Sequence, residues 1–238
     1  MSIKQEKSNL IAPAVWVYAD ERQRAAERGS VFFFHGLGSS KDAQQKELTS
    51  LAERGFLAIG IDNVGHGERL YPDFDQRFAG ENPDFGKELL AAVALTAQEL
   101  PRLIDAYLQA GIICPDKLGV VGVSMGGYIA YATVLAEPRL KVVSVILGSP
   151  HWWEVSGESP DHYPERFYPT ALLSQNAGQD SSVPAHYARD FHQTLAAYYT
   201  ADPQRQQYVE YPESGHFMRE PDWDLCWERN LTWLETYL

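Results

Sequence analysis

Cysteine is scarce: Cys114 and Cys226 are the only two in 238 residues. Two thiols cannot make a disulfide framework, and a chain this long can bury a full core without one. Free thiols in a reducing, cytoplasmic compartment are therefore expected. Positive charge is also in deficit, with 20 Lys plus Arg against 32 Asp plus Glu and a formal net charge of -12. Such a field repels polyphosphates and anionic lipid surfaces, which argues against a nucleic-acid partner. The first nine residues, Met1 to Asn9, lack the apolar stretch of a secretory signal or membrane span, so no membrane anchor is expected. Metal-ligand spacing is missing too. His151, His162, His186 and His192 do not fall into H-E-x-x-H, and no cysteine pair supplements them. Neither G-x-x-x-x-G-K-[ST] nor G-x-G-x-x-G occurs, which removes the usual supports for nucleotide binding. Internal repeats, heptads and low-complexity segments are absent.

What remains is an ordinary globular composition, 45% hydrophobic and 22% charged, of a length that suits one domain over residues 1–238. Continuous apolar runs at Ala14–Tyr18, Ser30–Phe34, Phe56–Ile61, Lys117–Val123 and Val142–Leu147 read as strands buried on both faces. Thr170–Ser174 and Gln206–Tyr211 read as two more. Between them, helical spacing predicts helices over Asp42–Arg54, Asp84–Ala110, Met125–Ala136 and Ala185–Thr200, with a last one carrying Trp223, Trp227, Leu231, Leu234 and Leu238. Pro101 predicts a bend or a break in the second of these. The charged run Glu21–Arg28 reads as a solvated face. Strands alternating with helices specify an α/β fold with a mostly parallel sheet of about seven or eight strands, covered on both faces. Such sheets hold ligands at the carboxyl ends of their strands.

Those strand ends carry the chemistry. Gly122-Val-Ser-Met-Gly126 matches the G-x-S-x-G elbow, directly after a buried strand and before a helix, and would present the Ser124 hydroxyl at a sharp turn. A serine hydroxyl needs a base. His216, in Glu213-Ser-Gly-His216-Phe217 after the last strand, is placed to be that base. The acid that orients it should lie between serine and histidine in chain order. Asp180, in the turn Gly178-Gln-Asp180-Ser-Ser-Val-Pro184, is the first choice, with Asp161 and Asp190 as competitors. Carbonyl attack also requires amide donors for the oxyanion; the Leu37 N–H, in Phe34-His-Gly-Leu-Gly38, and the Met125 N–H are the expected pair. The loop Asp62–Arg69 reads as a structural turn stabilised by Asp62, His66 and Arg69, and His35 as a prop for the oxyanion turn. The Pro-rich stretch Gly148–Pro169 is too short for a domain and reads as a small flap. Its aromatic cluster, His151, Trp152, Trp153, Tyr163, Phe167 and Tyr168, could wall an apolar pocket or serve local packing.

Taken together, His35-Gly36, Asp62 to Gly67, Gly122 to Gly126, Asp180 with Val183-Pro184, and Gly215-His216 resemble the α/β-hydrolase superfamily. Small serine esterases and the dienelactone-hydrolase and prolyl-oligopeptidase-like catalytic domains are nearest. The resemblance runs from about Val15 to Leu238. It implies the α/β-hydrolase fold, Ser124, Asp180 and His216 as a triad, Leu37 and Met125 as oxyanion donors, and no organic cofactor. Serine at position 124 departs from the cysteine of typical dienelactone hydrolases, which speaks against that activity. The expected reaction is hydrolysis of a small, soluble carboxylic ester through an acyl-enzyme. The partner is then a small-molecule ester, with a homo-oligomer left open. A thioesterase, peptidase, lipase or acyltransferase would use the same arrangement, and a non-catalytic binding module is the reading from a different class.

Overall fold

The computed structural model describes residues 1–153 and 159–238, so the part of the expected flap at 154–158 lies outside the described residues. Eight strands form one sheet: β1 (Ile3–Ser8), β2 (Ala14–Ala19), β3 (Ser30–Phe34), β4 (Leu57–Ile61), β5 (Leu118–Val123), β6 (Val142–Ile146), β7 (Ala171–Ala177) and β8 (Gln206–Tyr211). Their spatial order is β1-β2-β4-β3-β5-β6-β7-β8. β1 and β2 are antiparallel to each other and β2 is antiparallel to β4, while every pair from β4 through β8 is parallel. The helices are α1 (Arg22–Arg28), α2 (Gln45–Glu53), α3 (Phe74–Arg77), α4 (Phe85–Gln109), α5 (Met125–Ala136), α6 (Ala185–Leu195) and α7 (Glu220–Tyr237).

Strand alternation divides the core in two. In β3, Phe32 and Phe34 join the cluster that α4, α5 and α6 cover, whereas Val31 and Phe33 join the cluster that α2 and α7 cover. The central strands therefore read as unbroken apolar runs, because both of their faces meet helices. The last helix is held to its neighbour as well as to the sheet: the Trp227 indole N–H donates to Ser50 Oγ at 2.7 Å, and Arg54 binds Glu228 and Glu235.

Three sequence expectations are corrected. β1 was not expected, because Ile-Lys-Gln-Glu-Lys-Ser has no apolar face; as an edge strand it pairs only with β2 and stays largely exposed. The run Glu21–Arg28 is not merely a solvated face, since α1 buries Ala25 and Ala26 against the sheet. Pro101 neither breaks nor divides α4, which runs for 25 residues. Burial of Leu100, Leu103 and Ile104 around the proline offsets its cost of roughly 3 kcal/mol in a helix interior. The two cysteines are unpaired, and among the described residues no helix is long and apolar enough to cross a membrane.

Candidate active site

Ser124 is the single residue between β5 and α5, and it adopts φ 57° and ψ -117°. A non-glycine residue rarely occupies such a region, at a cost of about 1–3 kcal/mol. The surroundings enforce it. The Ser124 N–H donates to Ile146 O at 2.9 Å, and the Gly127 N–H to Ser124 O at 2.7 Å. A Cβ at Gly122 would stand 1.9 Å from Gly126 O, and one at Gly126 would stand 2.0 Å from Phe34 O. Either side chain would drive α5 off the strands, so the glycines of the elbow are packing requirements.

The loop after β8 brings in the imidazole. His216 Nε2 lies 2.9 Å from Ser124 Oγ, and His216 Nδ1 lies 2.7 Å from Asp180 Oδ2. A carboxylate only accepts, so Nδ1 carries the proton and Nε2 is left to accept from the serine hydroxyl. The second oxygen of Asp180 accepts the Ser182 and Val183 amides at 2.8 and 2.9 Å. The Asp180 side chain is fully buried while the His216 side chain is 22% exposed, which leaves the imidazole reachable from the cavity. The two loops are also tied together, with the Gln179 N–H on Ser214 O at 2.9 Å and the Gly178 N–H on Tyr211 O at 2.8 Å. Of the competing acids, Asp161 binds His151 at 2.8 Å and Asp190 sits exposed on α6.

The turn after β3 borders the serine: a Cβ at Gly36 would lie 3.5 Å from Ser124 Cβ. Leu37 and Met125 face the same cavity as Ser124 and His216. Met125 is the first residue of α5, where amides have no intrahelical acceptor and the helix field favours negative charge. His35 props this turn from below. Its Nδ1–H donates to Gly36 O at 2.8 Å, and its Nε2 accepts the Asn63 N–H at 3.1 Å. Burial pushes the His35 pKa down to about 4, so the ring is neutral and can keep that acceptor.

A second tie runs through Lys41, whose ammonium is buried and meets Asp62 at 2.8 Å and Glu68 at 2.7 Å. Burial works against the Lys41 charge, but the bonds to Asp62 and Glu68 outweigh it and raise the pKa. Asp62 also accepts the Lys41 and Glu68 amides, both at 2.9 Å. Burial would raise its pKa, yet these amides and the ammonium hold the carboxyl below its usual range. Gly67, at φ 57°, is required here because a Cβ would fall 2.1 Å from the Asp62 carboxylate. His66 is buried with Nδ1 on Val64 O at 3.0 Å, and Arg69 binds Asp62 O and Glu99. The Asp62–Arg69 loop is thus a scaffold for the turn carrying Leu37.

The cavity above Ser124 has a volume of about 790 Å3. Phe85, Leu89, Leu147, Val183 and Trp223 supply much of its apolar wall, and no Asp, Glu, Lys or Arg lines it among the described residues. Of the aromatic group in the Pro-rich stretch, Trp153 faces it, in edge contact with Tyr128 at 6.1 Å. The others are engaged elsewhere. His151 pairs with Asp161 and stacks on Tyr187, Trp152 and Tyr163 border a separate groove beside α4 and α5, and Phe167 is fully buried against Phe191. Tyr168, half-exposed, meets Tyr199 edge-on. Sequence reasoning did not place Phe85, Tyr128, Val183, Phe217, Met218 or Trp223 at the cavity. A usable signal existed for three of them, since Tyr128 stands one helical turn from Ser124, Phe217 follows His216, and Val183 follows the acid loop.

The sheet order, the strained serine between strand and helix, and the acid and histidine after later strands together define an α/β hydrolase. Residues 25–211 match the family described as "Serine aminopeptidase, S33", and the chain belongs to that family of hydrolases. The Bacillus subtilis (strain 168) protein named "Putative esterase YitV" is 25% identical over 251 residues, covering 93% of each chain. Among solved structures, TT1662 from Thermus thermophilus matches with a TM-score of 0.81 at 21% identity, over 99% of this chain and 98% of that one. A cold-adapted esterase from an Arctic intertidal metagenomic library matches with a TM-score of 0.71 at 17% identity, over 100% and 95% of the two chains.

Proposed function

We propose that the protein is a serine esterase that hydrolyses uncharged carboxylic esters through an acyl-enzyme. The observation that carries this reading is the unbroken hydrogen-bond chain Ser124 Oγ–His216–Asp180, at 2.9 and 2.7 Å, opening onto an apolar cavity. Ser124 Oγ attacks the carbonyl while His216 Nε2 takes its proton, and Asp180 holds the tautomer and supports the imidazolium. The Leu37 and Met125 amides receive the oxyanion. His216 then gives the proton to the departing alkoxide. Water, deprotonated by the same nitrogen, releases the acid.

The charge-free lining argues for an ester over other substrates of the same chemistry. An aminopeptidase must hold an α-ammonium, and a carboxylated lactone needs a cation; the described wall offers neither. The esterase name carried by the Bacillus subtilis relative agrees with this choice. The test uses p-nitrophenyl acetate and butyrate beside amino-acyl p-nitroanilides, with labelling by a fluorophosphonate. Wild type should cleave the esters and take the label, and Ser124→Ala should lose the label and at least about 10^3-fold of the rate. An unchanged rate in Ser124→Ala, or faster cleavage of the anilides than of the esters, overturns the proposal.

A further inference from the structure

Phe217 is 96% exposed, more than any other large hydrophobic side chain among the described residues, yet it directly follows the base and lines the cavity. Its ring meets the His216 imidazole edge to face, with centroids 5.7 Å apart at 84°. Two further lining residues follow closely in the chain. Met218 and Trp223 pack against the α7 side of the core, and Trp223 stacks on Trp227 with centroids 6.3 Å apart and planes 12° apart. Trp227 is itself fixed by its bond to Ser50. The arrangement is a rigid indole floor with one aromatic ring standing free in water beside the base.

Reaction chemistry says what comes to rest there. The leaving oxygen must come within about 2.6–3.2 Å of His216 Nε2 to receive its proton. The carbons attached to that oxygen must then lie against whatever surrounds the imidazole. The acyl carbon stays bonded to Ser124 and keeps the rest of the lining, which includes Phe85 and Leu89 of α4 and Tyr128 of α5. The nearest cation along the chain, Arg219, is engaged by Asp222 at 2.9 Å, and Asp222 also accepts from Ser214 at 2.6 Å. No free charge is offered to this side of the site by these residues.

Building on the esterase reading, we infer that Phe217, over the Met218–Trp223 floor, is the binding face for the alcohol half of the substrate. The preferred alcohol is then a broad, uncharged aromatic or alicyclic one. A flat ring against Phe217 recovers apolar area that the free enzyme leaves wholly in water, and aromatic stacking adds to it.

The alcohol leaves before deacylation, so the contact acts on acylation alone. Wild type, Phe217→Ala and Phe217→Tyr are compared on methyl, phenyl and 2-naphthyl acetate, and on p-nitrophenyl esters from acetate to octanoate. Variant-to-wild-type ratios cancel the intrinsic reactivity of each ester. Phe217→Ala should lower kcat/KM for 2-naphthyl acetate about tenfold, with a loss that shrinks steadily toward methyl acetate. The loss across the p-nitrophenyl series should be the same at every acyl length, the pre-steady-state deacylation rate should be unchanged, and Phe217→Tyr should restore the naphthyl rate. A loss that follows acyl length, or that is equal for all alcohols, overturns the inference. A change in sedimentation without alcohol dependence also overturns it, by making Phe217 a subunit contact. Wild type inactive on every acetate would instead remove the ester reading underneath.

Discussion

Ser124 shows how much of a site can reside in one residue's backbone. Its φ of 57° is imposed by packing of α5 against β3 and β5, and the same constraint lifts the hydroxyl toward His216. The strain comes from Cβ, so it can be measured separately from chemistry. Ser124→Ala keeps Cβ and Ser124→Gly removes it. Both should be inactive, but the glycine variant should be more stable than the alanine variant by about 1 kcal/mol, the strain relieved less the entropy glycine brings to the unfolded chain. Urea unfolding of the two variants checks this, and equal midpoints would remove the strain argument. Ser124, His216 and Asp180 were legible in sequence because each stands in a turn whose glycines and prolines announce it. The lining residues Phe85 and Leu89 were not, because on α4 they look like any other apolar positions of an amphipathic helix.

At the level of elements, the turn after β3 depends on residues far away in the chain. Lys41 joins it to the Asp62 loop after β4 through a buried ion pair, with the Asp62 carboxylate also accepting two amides. Lys41→Met should cost about 3–5 kcal/mol, because it leaves that carboxylate buried without its cation. On the proposed mechanism the same change should lower kcat for p-nitrophenyl acetate, since the displaced turn carries the Leu37 amide assigned to the oxyanion. A stability loss with unchanged kcat would detach this tie from the site. Sequence expected a helix starting at Asp42 and did not see Lys41 as buried; a lone lysine reads as solvated until its carboxylate partners, 21 and 27 positions away, are brought to it. The polar strand β1 escaped for a related reason, since pairing with β2 is a tertiary fact that leaves no apolar stripe in an edge strand.

Two buried histidines give the whole molecule a pH signature. His35 and His192 are both pushed by burial from 6.5 to about 4, and both serve as acceptors, His35 for the Asn63 amide and His192 for Ser174 at 2.8 Å. A base whose folded pKa is depressed takes up its proton more readily when unfolded. Stability from these groups is therefore complete above about pH 6.5 and is lost as pH falls toward 4. Each contributes up to about 1.4 kcal/mol per pH unit in that window, and His66, lowered by its own burial, acts in the same direction. Urea denaturation between pH 7 and 4.5 should show the free energy falling with pH, and His192→Gln should remove one proton's share of the slope whatever its effect at pH 7. A slope unaffected by that substitution would mean the histidine is not held neutral.

Local sequence determined the order of strands and helices, the elbow, and the turns that carry His216 and Asp180, because runs of apolar residues and turn-forming glycines act between near neighbours. Tertiary structure alone decided that a polar N-terminal segment becomes an edge strand, that Pro101 sits inside an unbroken helix, and that Phe217 rather than Phe167 borders the cavity. Those outcomes depend on which surfaces meet across the sheet, and a residue cannot carry that information in its own neighbourhood.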